Sequence, residues 1–435
     1  MISSSEKRAG SGFRATLQSK FFEDLRHLVK QHLIIKSFSL LAVTYAMRRL
    51  GPSGLGELGY AMAAISVALL LSHLGLDQLL PKKMAAETSP LKRQKIGLDA
   101  YSMRLALVLC LSPMFLGGAI FQVWKTANAS SPITIAFIWI AAYLLLWGTA
   151  LNPEAYQQGK DEVKCLADFQ LRSAVVTSVF FVGVFYFFPS SPAYLLIQAV
   201  GVLYIAWLAF ARSKNSGRIW PRIRIFGQIP SYVRTYWPTI ANVGVIWCFL
   251  GLDVFFLALL APAEQVGLYA AASTLCNGVN VFVALIPMAL YPRVLAWTKV
   301  SPVLAATRTI KICSAVLLAV PIVYVVSRVV CRFGVPLVLG VEYQDSAPAL
   351  AALISQFFVF VGYYALTFLF VAIGEYRQVL AVSSAGAILS LFVYPLAADM
   401  GGAIYLAHGK LAVCWVMVAV GAGLAMRLKH QLACR

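Results

Sequence analysis

The 435-residue chain is 60% hydrophobic and 12% charged, where a soluble domain carries roughly a quarter charged residues. Its net charge of +19 invites a nucleic-acid reading. However, Lys and Arg concentrate in alternate loops between apolar runs of about 20 residues, the length that crosses a bilayer, so no nucleic-acid partner is expected. The eight cysteines show no CxxC spacing, which leaves no sign of a disulfide framework or a zinc site.

Residues 1–32 read as a basic, amphipathic cytoplasmic segment. Leu17, Phe21, Leu25, Leu28 and His32 recur near helical spacing, as in a helix lying at the membrane interface. No apolar core followed by a small-residue cleavage site occurs in the first 30 residues, so no cleaved leader is expected.

Twelve spans follow, at 33–48, 56–76, 101–123, 132–151, 166–188, 192–211, 236–260, 266–289, 310–329, 347–372, 377–397 and 401–424. With the N-terminus inside, the cytoplasmic side receives about 29 Lys and Arg and the outer side about 5. That asymmetry predicts a multi-pass protein of the bacterial inner membrane with both termini in the cytoplasm.

The basic segment 212–235 divides the spans into an N-lobe (33–211) and a C-lobe (236–428), with a short tail at 429–435. Leu55-Gly56-Glu57-Leu58-Gly59 lines up with Val266-Gly267-Leu268-Tyr269-Ala270, each just after a hairpin containing Pro (Pro52, Pro262). The echo predicts an all-α integral membrane protein of two pseudo-symmetric six-helix lobes around a central cavity.

Gly54-Leu55-Gly56-Glu57-Leu58-Gly59 has the form GxGxxG but stands between two membrane helices, without the strand a dinucleotide site needs. Gly409-Lys410 lacks the Ser or Thr of a phosphate loop. With no ATP-binding motif, an ion gradient, the membrane potential or the substrate gradient must drive any transport. Neither DxD nor an Asp-Asp pair is present to hold a divalent metal with substrate phosphate, as a membrane glycosyltransferase would require. No cofactor is expected, apart from H⁺ or Na⁺ as a coupling ion.

The remaining features are charges in or beside spans, each costing at least about 2.5 kcal/mol to bury. Lys36, Asp77 and Arg104 lie near the cytoplasmic face, where they either snorkel or face a cavity. Arg48 and Arg49 end the first span, and Arg49 is a candidate for the cavity rim. Asp253 and Lys410 lie deeper and either pair with each other or face the cavity. Lys36, Arg49, Arg104 and Lys410 are therefore the substrate-cavity candidates, and Asp77 and Asp253 the ion-coupling candidates. A cavity with Arg104 and Lys410 on its walls would suit an anionic, pyrophosphate-linked lipid sugar.

From about Ile34 onward the sequence resembles the Wzx-type polysaccharide transporters of the multidrug/oligosaccharidyl-lipid/polysaccharide exporter superfamily. Leu50-Gly51-Pro52 with Gly56 and Tyr60, then Leu74-Gly75-Leu76-Asp77, resemble that family's first hairpin and the end of its second helix. Asp253 and Val266-Gly267-Leu268-Tyr269 resemble the matching stretch of the second half. Pro292 resembles the proline closing the eighth helix, and Gly340-Val341-Glu342-Tyr343 and Ile373-Gly374-Glu375-Tyr376-Arg377 flank the tenth.

The resemblance implies an alternating-access flippase with a cationic cavity. Its substrate would be a polyprenyl-diphosphate-linked oligosaccharide, such as an O-antigen or exopolysaccharide repeat unit, carried with its tail in the membrane lipids. Polysaccharide polymerase and chain-length machinery are the further partners it implies. A cation-coupled drug antiporter of the same fold and a membrane glycosyltransferase or ligase are the alternatives.

Overall fold

The computed structural model describes residues 37–73, 76, 80, 83–84, 87–125, 131–151, 163–212, 227 and 229–433. Every described element is helical, as lipid demands: a spanning segment without water must satisfy its own backbone hydrogen bonds. The helices are α1 (Ser37–Glu57), α2 (Gly59–His73), α3 (Pro90–Cys110), α4 (Ser112–Lys125), α5 (Pro132–Ala150), α6 (Val163–Phe187) and α7 (Ser191–Arg212). The second half contains α8 (Ile229–Leu260), α9 (Ala263–Val300), α10 (Pro302–Leu339), a 3₁₀ turn (Val341–Ser346), α11 (Ala347–Ile373) and α12 (Tyr376–Ala433).

Among the described residues eight helices are long and apolar enough to cross a membrane, or nine with the bent α1–α2 pair taken as one. Separating α1 from α2, joining α3 to α4, and dividing α12 at its kink gives twelve helical segments, matching in number the twelve spans the sequence predicts. The chain bends by 74° between α1 and α2, at Leu58, and Gly51 takes φ +70° within the last two turns of α1. Gly401 and Gly402 break α12, and Gly402 takes φ +62°, a conformation that strains any residue with a Cβ.

Several helices outrun their predicted apolar segments. Helix α9 continues past Pro292 to Val300, so that proline does not close it, and α10 runs from Pro302 to Leu339. Helix α8 begins at Ile229 and merely kinks at Tyr236, where the seventh span was expected to start. Hydropathy marks the stretch that sits in hydrocarbon, whereas helix propagation continues into polar flanks wherever backbone bonds can form.

Packing follows the two halves. Helix α5 packs on α7 and α6 on α7, while α11 lies against α9, α10 and α12, and α8 lies against α12. The outward faces are apolar, as on α10, where Leu318 is 77% and Phe333 71% exposed. Such surfaces belong against lipid. Between the halves α2 packs along α8, and Leu40 of α1 touches Gly278 of α9.

Candidate functional site

The two halves close on each other at the end of the bundle that holds the α1–α2 junction. A Cβ placed on Gly56 would lie 1.7 Å from the Ala263 carbonyl oxygen, and one on Gly267 would lie 1.8 Å from that of Pro52. Gly56 and Gly267 are 211 positions apart, as are Pro52 and Ala263, so the contact is reciprocal under the internal repeat. Glycine is required because only a hydrogen fits between the backbones.

A second pair of contacts nearly keeps this offset, by 211 positions on one side and 212 on the other. Ser191 Oγ lies 2.9 Å from the Gly54 carbonyl oxygen. Gln265 Oε1, at the position equivalent to Gly54, accepts from the Ala403 amide at 3.2 Å. Further bonds cross the seam: Tyr343 donates to the Met47 carbonyl at 2.8 Å. Arg48 Nε donates to the Val338 carbonyl at 2.6 Å, and its guanidinium also bonds Leu337 O.

Away from this seal lies a cavity of about 660 Å³, within the range of small-ligand sites. Helices α1, α2, α6 and α7 form most of its wall, and α9 of the other half completes it. Its polar groups are the amides of Gln170, Gln198 and Asn277 and hydroxyls such as those of Ser39, Ser178 and Thr274; none of the described residues that line it is charged. The buried Ser178 Oγ has no hydrogen-bond partner among the described residues, so it remains available to a guest. Neutral donors and acceptors among aliphatic and aromatic surfaces suit polyhydroxylated ligands better than ions.

Asp253 and Lys410 are brought together. Lys410 Nζ pairs with Asp253 Oδ2 and also donates to the Leu250 carbonyl at 3.1 Å. Tyr269 donates to the same carboxylate oxygen at 2.5 Å. The two charged residues are 3% and 8% exposed. One network thus joins α8, α9 and the far half of α12, and Tyr394 adds a bond to the Phe249 carbonyl at 2.6 Å.

Among the described residues the charged candidates stand apart from this cavity. Lys410 turns to a carboxylate instead of the cavity, because a buried ammonium is stabilised by an ionic partner. Arg104, 1% exposed, is packed inside the first half and is not part of the cavity lining. Arg49 is exposed within α1, two positions before Gly51, and Lys36 and Asp77 lie outside the described residues.

The cavity's amides and hydroxyls were not singled out in the sequence. Their only signal is spacing: Gln170, Ser173 and Thr177 recur at i, i+3 and i+7, a neutral polar stripe along α6.

Two helical lobes closed on each other at one end beside a polar cavity define the class: a multi-pass helical membrane protein. Residues 27–296 match the family model described as "Polysaccharide biosynthesis protein", and the chain belongs to that family. No curated protein is a detectable sequence relative.

Three solved structures share the fold. The chain is similar to "Lipid II flippase MurJ, inward closed conformation" at a TM-score of 0.60 and 12% identity, covering 90% of this chain and 86% of that one. It is similar to an inward-facing multidrug resistance MATE family transporter of the MOP superfamily at 0.56 and 16%, covering 92% and 95%. A MOP superfamily transporter from Pyrococcus furiosus matches at 0.51 and 15%, covering 93% and 95%.

Proposed function

We propose that the protein is a flippase that moves a polyprenyl-diphosphate-linked oligosaccharide across the bacterial inner membrane by alternating access. The single observation that carries this reading is the cavity whose described polar lining consists of amides and hydroxyls, most of them from the first lobe. In it a sugar head exchanges hydrogen bonds to water for bonds to protein, while the polyprenyl tail stays in lipid. Membership of a polysaccharide biosynthesis family supports the same substrate class.

In this reading residues 33–211 and 236–428 are the two moving bodies, joined by 212–235. Both termini are cytoplasmic, and the Gly56–Gly267 seal faces the periplasm, so the structure is closed on the outside. The repeat unit, O-antigen or another exopolysaccharide, is then passed to polymerase and chain-length machinery on the outer face. A drug antiporter working through Asp253 fits less well, because Lys410 already neutralises that carboxylate.

Depletion of the protein tests the reading. Sugar-labelled lipid-linked oligosaccharide should accumulate in the cytoplasmic leaflet while surface polysaccharide falls. Undiminished surface polysaccharide combined with raised drug sensitivity would sink it.

A further inference from the structure

The oxygens around Lys410 Nζ are of the kinds that hard cations seek. A carboxylate oxygen of Asp253 and the backbone carbonyl of Leu250 accept from it, and the Tyr269 phenol is bound to the same carboxylate oxygen. Carboxylate and carbonyl oxygens are the groups that replace the water shell of a bare metal ion. Here the position is taken by a side chain tethered through α12. Among the described residues Asp253 is the one buried carboxylate, so within them its partner decides whether a buried acid is free to bind an ion.

We infer that Lys410 is a built-in counter-ion that fills the cation position beside Asp253, and that the second lobe therefore takes up no Na⁺ or other monovalent metal ion there. The pair is neutral as a unit, so the lobe can move through low dielectric without recruiting an external charge. An Asp253 freed of Lys410 would become such a site. The inference rests on the flippase reading only for what the lobe's movement carries.

The test is thermal unfolding of the full-length purified protein, with NaCl titrated against choline chloride at constant ionic strength and pH. The wild type should unfold at the same temperature in both salts. Lys410→Met should be less stable in choline and should recover at least about 2 °C in Na⁺, because a ligand that binds only the folded state raises the melting temperature. Asp253→Asn/Lys410→Met should again be indifferent to Na⁺.

A wild type stabilised by Na⁺ in an Asp253-dependent way overturns the inference, as does a folded Lys410→Met that no alkali cation stabilises. Should Lys410→Met not fold, the wild type compared with Asp253→Asn decides: equal indifference upholds the inference and an Asp253-dependent Na⁺ response overturns it. Because no sugar substrate is present, the result stands apart from the depletion experiment.

Discussion

Gly56 abuts the carbonyl of Ala263 while Gly267 abuts the carbonyl of Pro52, so one contact is made twice, once from each half of the chain. The short stretch that betrays the internal repeat in sequence is also the seal between the lobes. Small residues at these positions let two backbones meet, and in a membrane such close packing replaces the hydrophobic drive that lipid removes.

Adding one methyl group at either glycine should hold the seal open. Gly56→Ala and Gly267→Ala place a carbon within 2 Å of a carbonyl oxygen, which no side-chain rotation relieves. Spin labels flanking the seam should report a population shifted towards separated lobes. Gly183→Ala, where nothing stands within 4 Å, should leave that distance unchanged and add up to about 1 kcal/mol of helix stability. An unaltered distance in both seam variants would remove the seal from the transport cycle.

The cavity amides should govern flipping with little effect on folding. Each of Gln170→Leu and Asn277→Leu removes neutral hydrogen bonds worth about 1 kcal/mol apiece, so the initial rate of flipping should fall about five-fold each. The melting temperature should stay near that of the wild type. Unchanged flipping in the double variant would place the sugar elsewhere.

Breaking the buried pair on one side should cost far more than replacing both partners. Lys410→Met leaves an uncompensated carboxylate and is expected to destabilise by about 3–5 kcal/mol, whereas Asp253→Asn/Lys410→Met should lie within about 1–2 kcal/mol of the wild type. Chemical unfolding of the three proteins measures the difference. Additive losses would show that the two residues act separately.

Gly402 holds the turn of α12 at φ +62° and ψ −134°. Gly402→Ala meets both that strained backbone and Gln265 Oε1, at 2.7 Å from the added carbon. A loss of about 1–3 kcal/mol is expected, seen as a lower melting temperature and poorer yield. Wild-type stability in this variant would mean that the turn relaxes freely.

Much of the fold was legible because lipid permits few solutions: apolar runs become helices, and the Gly56–Gly267 echo marks where the two halves meet. Helix ends were less legible, since α9 and α10 extend into polar sequence that hydropathy does not mark. Asp253 and Lys410 were recognised singly and as a conceivable pair, but 157 residues separate them, and only packing decides between partner and cavity. Cavity residues such as Gln198 and Asn277 were missed because a neutral amide is common and carries no charge penalty to attract notice. Arg104 drew notice for the opposite reason, because a buried charge stands out in sequence wherever it lies, and it is buried away from this cavity.

The cavity is unequally shared, with four helices of the first half forming its wall and α9 closing it from the second. The buried ion pair lies wholly within the second half. On the flippase reading proposed above, cargo and counter-charge are housed in separate bodies: the sugar would travel in the frame of one lobe, while the other would supply the door. Substrate range can then drift through changes in α6 and α7 without disturbing the lobe that opens and shuts, which lets one transport machine serve many glycans.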